Sequence, residues 1–244
     1  MVNKTGKFKI SSHFLYMMKL LLSGGGNPEE TIELDQFFVD LFRDKKILFI
    51  PIAKTTRTPK ECYDWVERIF KGKGFSGEMV LIYNLNEVGY DNIKEYDAIY
   101  IGGGNTFHLL KEIKSSGFDK LLKKYIMEKG FIYGVSAGAM IFCKDIGYAK
   151  EIGDINEDMI KDSSALNFFK DTYILPHYNS TQDNKINKLI KKEKIQIIAL
   201  PEGSGIYIDN KKIYVKSGRA YLFTKEKKVE FKKNRVISGV NFNW

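Results

Sequence analysis

A serine stands between two glycines at the end of an apolar stretch of the sequence. The segment Phe131–Met140 contains the pattern G-x-S-x-G, centred on Ser136. In that pattern a strand turns sharply into a helix, so the central residue takes a strained backbone conformation and only glycine fits two places on either side. We therefore predict that Ser136 is exposed at a strand tip, where it could act as a nucleophile. A tight turn with an idle serine is the alternative.

A serine hydroxyl becomes a useful nucleophile only when a base accepts its proton, and histidine, with an ordinary pKa of about 6.5, suits that task. The chain holds three histidines. His13 lies near the N-terminus, and His108 opens a predicted helix, where a surface or pocket-wall role is more common. His177 directly follows the apolar segment Tyr173–Leu175. A parallel strand ending there would bring His177 to the same sheet edge as Ser136, so we predict that His177 is the base.

Acyl transfer also needs N–H groups that face the developing oxyanion, and loss of one such donor typically costs about 2.7–4 kcal/mol. Three glycines at 102–104 precede Asn105 and would let the backbone approach a substrate closely. We expect Gly103 or Gly104 to supply one N–H and Ala137, the residue after the serine, to supply the other. A phosphate or dinucleotide loop is the alternative, but the segment lacks both the G-x-G-x-x-G spacing and a G-K-[ST] ending.

The third member of such a site is a carboxylate that orients the imidazole and stabilises its cation. An acid-rich stretch lies between Ser136 and His177, and Glu202 is a later option at the end of another apolar segment. Spacing does not choose among these side chains, most of which must be ordinary surface charges. The candidates in the acid-rich stretch are Glu151, Asp154, Glu157 and Asp158.

Apolar segments of strand length alternate with amphipathic segments of helix length along most of the chain. Strands that are apolar throughout indicate a parallel sheet covered on both faces by crossover helices. We predict a doubly wound α/β fold with a mostly parallel sheet, closed at one end by antiparallel strands after residue 205. Ligands bind such sheets beyond the carboxyl ends of the strands, where the glycine loops and the serine turn would meet. The predicted strands are Met18–Leu22, Ile47–Ile52, Met79–Tyr83, Asp97–Ile101, Phe131–Val135, Tyr173–Leu175 and Ile195–Leu200, and the predicted helices include Glu29–Arg43, Pro59–Lys71, Thr106–Lys114, Phe118–Lys129 and Asp183–Lys192.

Length and composition predict one domain over residues 17–244, preceded by an N-terminal extension or expression remnant over residues 1–16. The net charge is +9, but the lysines are scattered and indicate a solvated surface rather than a nucleic-acid site. Cys62 and Cys143 lie far apart, which favours free thiols, and the histidines show no metal-binding spacing. No apolar run reaches the roughly 18 residues of a membrane span. We expect a soluble cytoplasmic protein with no metal, cofactor, nucleic-acid or membrane partner.

Four motifs occur in order along the chain. They are Gly102-Gly103-Gly104-Asn105-Thr106-Phe107 followed by Leu109-Leu110-Lys111, then Gly134-Val135-Ser136-Ala137-Gly138-Ala139, Leu175-Pro176-His177-Tyr178 and Leu200-Pro201-Glu202-Gly203. Together they resemble the peptidase E and cyanophycinase family of serine peptidases. The resemblance spans about residues 18–209 and implies a fold like that of the class I glutamine amidotransferases, with serine in place of their cysteine, a Ser-His-Asp/Glu triad and no metal.

Carried onto this chain, the resemblance implies Ser136 as nucleophile and His177 as base. The family's spacing of the acid from the serine and from the histidine favours Asp154, with Glu151 next. The oxyanion hole would be Gly104 with Ala137, and the substrate would contact Gly103, Asn105 and Gln182.

One departure from the family concerns the substrate. Peptidase E removes N-terminal aspartate from dipeptides and carries an arginine shortly after the catalytic histidine, which reads the aspartate carboxylate. Here Gln182 takes that place and Lys185 is the nearest cation. A glutamine amide does not replace the bidentate fork of arginine, so strict Asp-X specificity is not expected.

We therefore predict a serine peptidase that acts on short peptides, in particular dipeptides, as a monomer or homodimer. A cyanophycinase-like hydrolase and a non-catalytic small-ligand-binding or regulatory member of the same fold are the alternatives.

Overall fold

The computed structural model describes residues 18–53, 55–128 and 130–243. The predicted N-terminal extension, residues 1–16, lies outside this range, and a single domain over residues 17–244 stays a prediction. Among the described residues, no helix combines the length and the apolar character that crossing a membrane requires.

Five parallel strands form one side of the larger sheet, from its edge strand inward, in the order β3–β2–β4–β5–β1. Four of these strands are buried at all or all but one of their positions, as the apolar segments predicted, whereas the edge strand β3 is mostly half-buried or exposed. Each observed strand lies within two residues of the predicted bounds. The β4–β5–β1 order places the turn that holds Ser136 between the glycine loops that follow β4 and β1. The strands are β1 Lys19–Ser23, β2 Lys46–Ile50, β3 Glu78–Leu81, β4 Ala98–Ile101 and β5 Phe131–Val135.

Alternate residues of these strands face two separate cores. Leu21 packs in one core with Phe38 and Phe70, whereas its neighbours Leu20 and Leu22 belong to the other. This period of two is the pleat of a strand buried on both faces. The helices that cover the two faces and connect the strands are α1 Ile32–Phe42, α2 Pro59–Gly72, α3 Tyr90–Ile93, α4 Thr106–Ser115, α5 Phe118–Met127, α6 Ala137–Met140 and α7 Asp183–Glu193.

One helix begins later than the sequence predicts and another is a single turn, each for a local reason. The helix predicted from Glu29 begins at Ile32, because Asn27 Oδ1 accepts hydrogen bonds from the N–H groups of Glu29 and Glu30 and holds these residues in a turn. The helix after the serine, α6, is a single turn. The carbonyls of Ile141 and Phe142 accept hydrogen bonds from a returning segment near residues 166–168, so the chain leaves the helix there.

The C-terminal strands confirm the predicted antiparallel end of the sheet and add a second sheet. Strands β8, β9 and β12 continue the large sheet beyond β1, all antiparallel. A separate four-stranded sheet has the order β11–β10–β7–β6, in which only β6 and β7 are parallel. The strand that precedes His177 therefore lies outside the main sheet. The strands are β6 Thr172–Leu175, β7 Gln196–Ala199, β8 Gly205–Asp209, β9 Lys212–Ser217, β10 Arg219–Phe223, β11 Lys228–Lys232 and β12 Val236–Ile237.

Candidate active site

Ser136 occupies a sharp turn between β5 and α6, with φ 52° and ψ −110°. A non-glycine residue in such a conformation costs about 1–3 kcal/mol and persists only where its surroundings hold it. The flanking glycines explain how the turn closes. A Cβ on Gly134 would lie 2.3 Å from the carbonyl oxygen of Gly138, and one on Gly138 would lie 2.4 Å from the carbonyl oxygen of Ile101. The strained, glycine-flanked turn predicted from the sequence is thus present.

His177 meets Ser136 although β6 belongs to the smaller sheet. Its Nε2 lies 2.7 Å from Ser136 Oγ. The backbone N–H of His177 donates to Gly24 O at 2.9 Å, in the glycine loop after β1. The imidazole packs directly against Gly25, where a Cβ would lie 2.4 Å from His177 Cε1. The loop after β1 therefore brings the two sheets together at the point where the histidine reaches the serine.

Glu202 completes a row of three side chains, because its Oε1 lies 3.0 Å from His177 Nδ1. The parallel pairing of β6 with β7 sets Leu175 opposite Ala199. His177 and Glu202 lie two and three residues beyond this pair, so both emerge at the same end of neighbouring strands. The N–H of Gly203 also donates to Gly25 O at 2.8 Å, which ties the loop of Glu202 to the loop that packs on the imidazole.

The structure places Glu202 beside the imidazole, whereas Asp154 and Glu151, the acids that the resemblance favoured, have other partners. Asp154 Oδ2 accepts a hydrogen bond from the backbone N–H of Thr106 at 2.9 Å, at the start of α4. Glu151 pairs with Lys185 at 3.2 Å. Family spacing favoured these residues, but sequence distance does not reveal which loop β6 and β7 bring beside the imidazole. The signal that could have found Glu202 is its place at the end of a predicted strand.

His108, the second candidate base in the described part of the chain, has a different partner. Its Nδ1 lies 2.8 Å from Asp158 Oδ2, and Lys111 donates to the other oxygen of that carboxylate at 2.6 Å. The hydrogen bonds from Lys111 and His108 lower the pKa of Asp158. This cluster is a surface ion-pair network on α4, consistent with the ordinary role expected for His108.

Backbone N–H groups beside Ser136 are available as donors. A Cβ placed on Gly103 would lie 3.2 Å from Ser136 Cβ, so this glycine adjoins the serine. Within the described residues, the N–H groups of Gly103, Gly104 and Ala137 have no acceptor. Buried or half-buried N–H groups normally have partners, so free ones beside a nucleophile suit an incoming oxyanion.

Two residues that the resemblance assigned to the substrate are engaged with the protein itself. The Asn105 side chain accepts from His108 N at 2.9 Å and donates to Ile155 O at 2.8 Å, so it caps α4. Gln182 Oε1 accepts from Asn179 N at 2.9 Å within a turn before α7. Both amides therefore hold loops in place.

A cavity of about 250 Å³ opens beside Ser136 and His177 and runs between the main sheet and the helices α1 and α2. This volume is slightly below the roughly 300–1,000 Å³ of typical ligand pockets, which suits one amino-acid side chain rather than a folded segment. Buried aromatic residues of the sheet, Phe49, Tyr100 and Tyr133, form part of its wall. Polar groups along the wall include Asp35 and Arg57.

The two cysteines are free thiols, as the sequence predicted. Cys143 is fully buried, and burial raises the pKa of its thiol to about 11, so it is inert at neutral pH. In residues 18–53, 55–128 and 130–243, no group of three or more His, Cys, Asp or Glu side chains is arranged to hold a metal ion.

Known peptidases are similar to this chain in sequence. An uncharacterized peptidase of Pasteurella multocida is 34% identical over 167 residues, covering 67% of this chain and 79% of that protein. Peptidase E of Haemophilus influenzae is 28% identical over 195 residues, covering 76% of this chain and 86% of that protein.

Two solved structures share the fold. One, from Listeria monocytogenes EGD-e, has a TM-score of 0.64 at 24% identity and covers 88% of this chain and 98% of its own. A peptidase from an acI-B1 Actinobacterium has a TM-score of 0.67 at 17% identity, with coverage of 91% and 98%.

The sequence model of peptidase family S51 matches residues 19–216, which is most of the chain. This match includes the serine turn, the histidine and the loop of Glu202. The prediction of a serine peptidase similar to peptidase E is confirmed, and the chain belongs to peptidase family S51.

Proposed function

We propose that this peptidase cleaves short peptides through an acyl-enzyme on Ser136, with His177 as base and Glu202 as the carboxylate that orients the imidazole. One observation carries the proposal: the three side chains form a continuous row, with separations of 2.7 Å and 3.0 Å. A nucleophile, a base and an orienting acid within hydrogen-bond distance are the geometric requirement for acyl transfer.

The reaction follows from that row. Ser136 Oγ attacks the scissile carbonyl carbon while its proton moves to His177 Nε2, and the carbonyl π electrons move onto oxygen. The oxyanion collapses, the C–N bond breaks, and the amine leaves with the proton from Nε2. Water then attacks the ester and its proton moves to Nε2. The ester C–O bond breaks to release the acid, and Ser136 Oγ takes the proton back from Nε2. Glu202 stabilises the imidazolium that forms in each half.

The N–H groups of Ala137 and of Gly104 or Gly103 would receive the oxyanion. Their positions beside the serine and their lack of acceptors in the described part of the chain support this role. The small cavity supports a substrate that inserts one side chain, which suits dipeptides and other short peptides. A cytoplasmic location and a monomeric or homodimeric state stay predictions from the sequence.

A fluorophosphonate that reacts with activated serines tests the nucleophile. We expect intact-mass analysis to show one added group and peptide mapping to place it on Ser136. The Ser136→Ala variant should take up none. Ser115→Ala, which removes an exposed serine at the end of α4, is the matched control and should react like the parent.

Hydrolysis of a dipeptide library supplies the second half of the test. Turnover of at least one dipeptide by the parent and its loss in Ser136→Ala would support the peptidase mechanism. Binding of dipeptides without turnover or labelling would contradict it and favour the non-catalytic ligand-binding interpretation.

A further inference from the structure

The mechanism leaves one buried acid of the cavity without a role. Asp35 lies in the first turn of α1, is only 5% exposed, and forms part of the wall of the cavity that opens at Ser136. Carboxylates are seldom buried to this degree unless they are paired. The groups that contact the Asp35 carboxylate therefore indicate which kind of ligand group it could bind.

Two neutral hydroxyls hold the Asp35 carboxylate. Thr31 Oγ1 donates to Oδ2 at 2.8 Å, and Tyr133 OH donates to Oδ1 at 3.0 Å. Each carboxylate oxygen can accept a further hydrogen bond. Within the described residues, no lysine, arginine or histidine lies within ion-pair distance, and Lys73 acts on Asp35 only through its longer-range field.

Burial is therefore the main influence on the pKa of the Asp35 carboxyl. Loss of hydration raises the pKa of Asp35, and the hydrogen bonds from Thr31 and Tyr133 oppose the rise without cancelling it. The field of Asp35 also contributes to raising the pKa of the neighbouring Tyr100 and Tyr133 phenols, which stay protonated. A cation that entered the cavity would stabilise the ionised carboxylate, because opposite charges attract strongly in a low-dielectric site.

The wall between Ser136 and Asp35 is largely apolar. Val66 and Phe70 of α2 and Phe49 of β2 are buried around the cavity, together with the tyrosine rings of β4 and β5. An aliphatic stem would bury its methylene groups against these side chains and gain about 0.8 kcal/mol for each. A lysine or arginine side chain combines such a stem with a cationic tip.

A second charged residue of the wall carries the opposite sign. Arg57 is exposed, and its guanidinium stacks over the ring of Trp65 at 5.1 Å. At a separation of about 4 Å, a pair of unit charges interacts with about 1 kcal/mol in water but several-fold more strongly near or inside a protein. Asp35 is buried and Arg57 is solvated, so the acid dominates the preference of the inner cavity.

We propose that Asp35 determines substrate specificity by binding the cationic side chain of the residue whose carbonyl Ser136 attacks. This inference rests on the proposed function and adds the substrate class: short peptides with lysine or arginine at that position. Asp35 would receive the ammonium or guanidinium group, while the apolar wall holds the stem. It is a specificity residue and takes no part in the proton transfers.

A pair of dipeptides separates charge from shape. Lysyl-alanine and norleucyl-alanine have side chains of similar length, and only the first is cationic. We expect the parent to cleave lysyl-alanine with a kcat/KM at least about 10-fold higher, within the range of a charge-assisted hydrogen bond. The ratio should fall to near one in Asp35→Asn. The matched control is Asp40→Asn, which changes an exposed acid of the same helix and should keep the parental ratio.

A merely structural Asp35, which links α1 to β5 through Tyr133, predicts a different result. Asp35→Asn would then lower kcat/KM for both dipeptides by the same factor, and the ratio would stay as in the parent. That outcome would overturn the inference, as would a parental preference for aspartyl-alanine or norleucyl-alanine.

Binding to Ser136→Ala tests the inference without turnover. Calorimetry should show at least about 10-fold tighter binding of lysyl-alanine than of norleucyl-alanine, and the additional Asp35→Asn change should remove that difference. Lysyl-alanine affinity should also rise with pH as the carboxyl ionises. Equal affinities for the two dipeptides would overturn the inference. Tight lysyl-alanine binding that depends on Asp35, in a protein that no fluorophosphonate labels, would support a cation-binding role for Asp35 and contradict the catalytic mechanism.

Discussion

Two carboxylates near the cavity sit in opposite environments. The Glu202 side chain is half-exposed and meets the Nδ1 of His177, whereas Asp35 is buried and bound only by neutral hydroxyls. Water can reach the Glu202 carboxylate, and its Oε1 lies 3.0 Å from the imidazole that it would orient. Asp35 lacks that solvation and a protein cation within the described residues. The two proposed roles, an orienting acid at Glu202 and a substrate-binding acid at Asp35, therefore follow from the environment of each carboxylate rather than from residue type.

Removal of the imidazole should have the largest effect. We expect His177→Ala to lower kcat/KM by on the order of 10⁴-fold or more, because serine and histidine act as a unit. Steady-state kinetics on the best dipeptide would measure the change. His108→Ala, which affects the Asp158 network, is the control and should stay within a few-fold of the parent. Parental turnover in His177→Ala would contradict the proposed base.

Neutralising Glu202 tests which acid serves the histidine. Glu202→Gln keeps the shape but removes the charge that stabilises the imidazolium, so kcat should fall by on the order of 10³-fold. The half-exposed position lets water replace part of the lost stabilisation. Glu151→Gln is the control. If Glu202→Gln were active and Asp154→Asn inactive, Asp154, which family spacing favours, would instead be the acid that serves His177.

Crowding the imidazole tests the loop that joins the two sheets. In Gly25→Ala the new methyl group would lie 2.4 Å from His177 Cε1, so the ring must shift. A displacement of about 1 Å can lower activity by about 10²-fold. Kinetics should show that loss in kcat, with fluorophosphonate labelling slowed in parallel. Gly72→Ala, at a glycine with open space around it, is the control.

Asp154→Asn should change stability more than activity. The carboxylate accepts a hydrogen bond from Thr106 N, and loss of its charge should lower the free energy of unfolding by about 1–2 kcal/mol. Dipeptide hydrolysis should stay within about two-fold, which is the spread of ordinary surface substitutions. Urea denaturation and kinetics on the same samples would measure both quantities. A selective loss of kcat at unchanged stability would contradict the structural role.

The smallest effect concerns the pH dependence of stability. The folded-state pKa of Asp35 is raised above its ordinary value of 3.8. Between these two pKa values the folded protein therefore binds more protons than the unfolded chain does. The contribution of Asp35 to stability is present below the ordinary value and is lost as pH rises through the raised pKa. Asp35→Asn should lack this decrease, so its stability relative to the parent should improve with rising pH. Asp40→Asn should follow the parent, and parallel curves for Asp35→Asn and the parent would contradict the raised pKa.

The serine turn was predictable because its cause is local. The glycines at 134 and 138 are needed by a close approach between neighbouring backbones, and the G-x-S-x-G pattern records that requirement within five residues. The parallel core was predictable for a similar reason, since strands buried on both faces are apolar throughout.

The position predicted for His177 rested on the assumption that all the parallel strands belong to one sheet. The rule that residues following parallel strands meet at one edge assumed a single sheet, whereas β6 belongs to the smaller one. His177 reaches Ser136 because its backbone bonds to Gly24 and its ring packs on Gly25. The sequence showed the glycines of this loop but not the imidazole that they accommodate.

By itself the sequence determined the α/β class, the strained serine and the short list of acids and bases, because strand burial and the serine turn depend on near neighbours in the chain. Only the tertiary structure decided that Glu202 faces the imidazole and that Asp35 faces the cavity. Those placements depend on β6 pairing with β7 and on α1 packing over β5. Such contacts join residues 25 and 98 positions apart, and no local pattern encodes them.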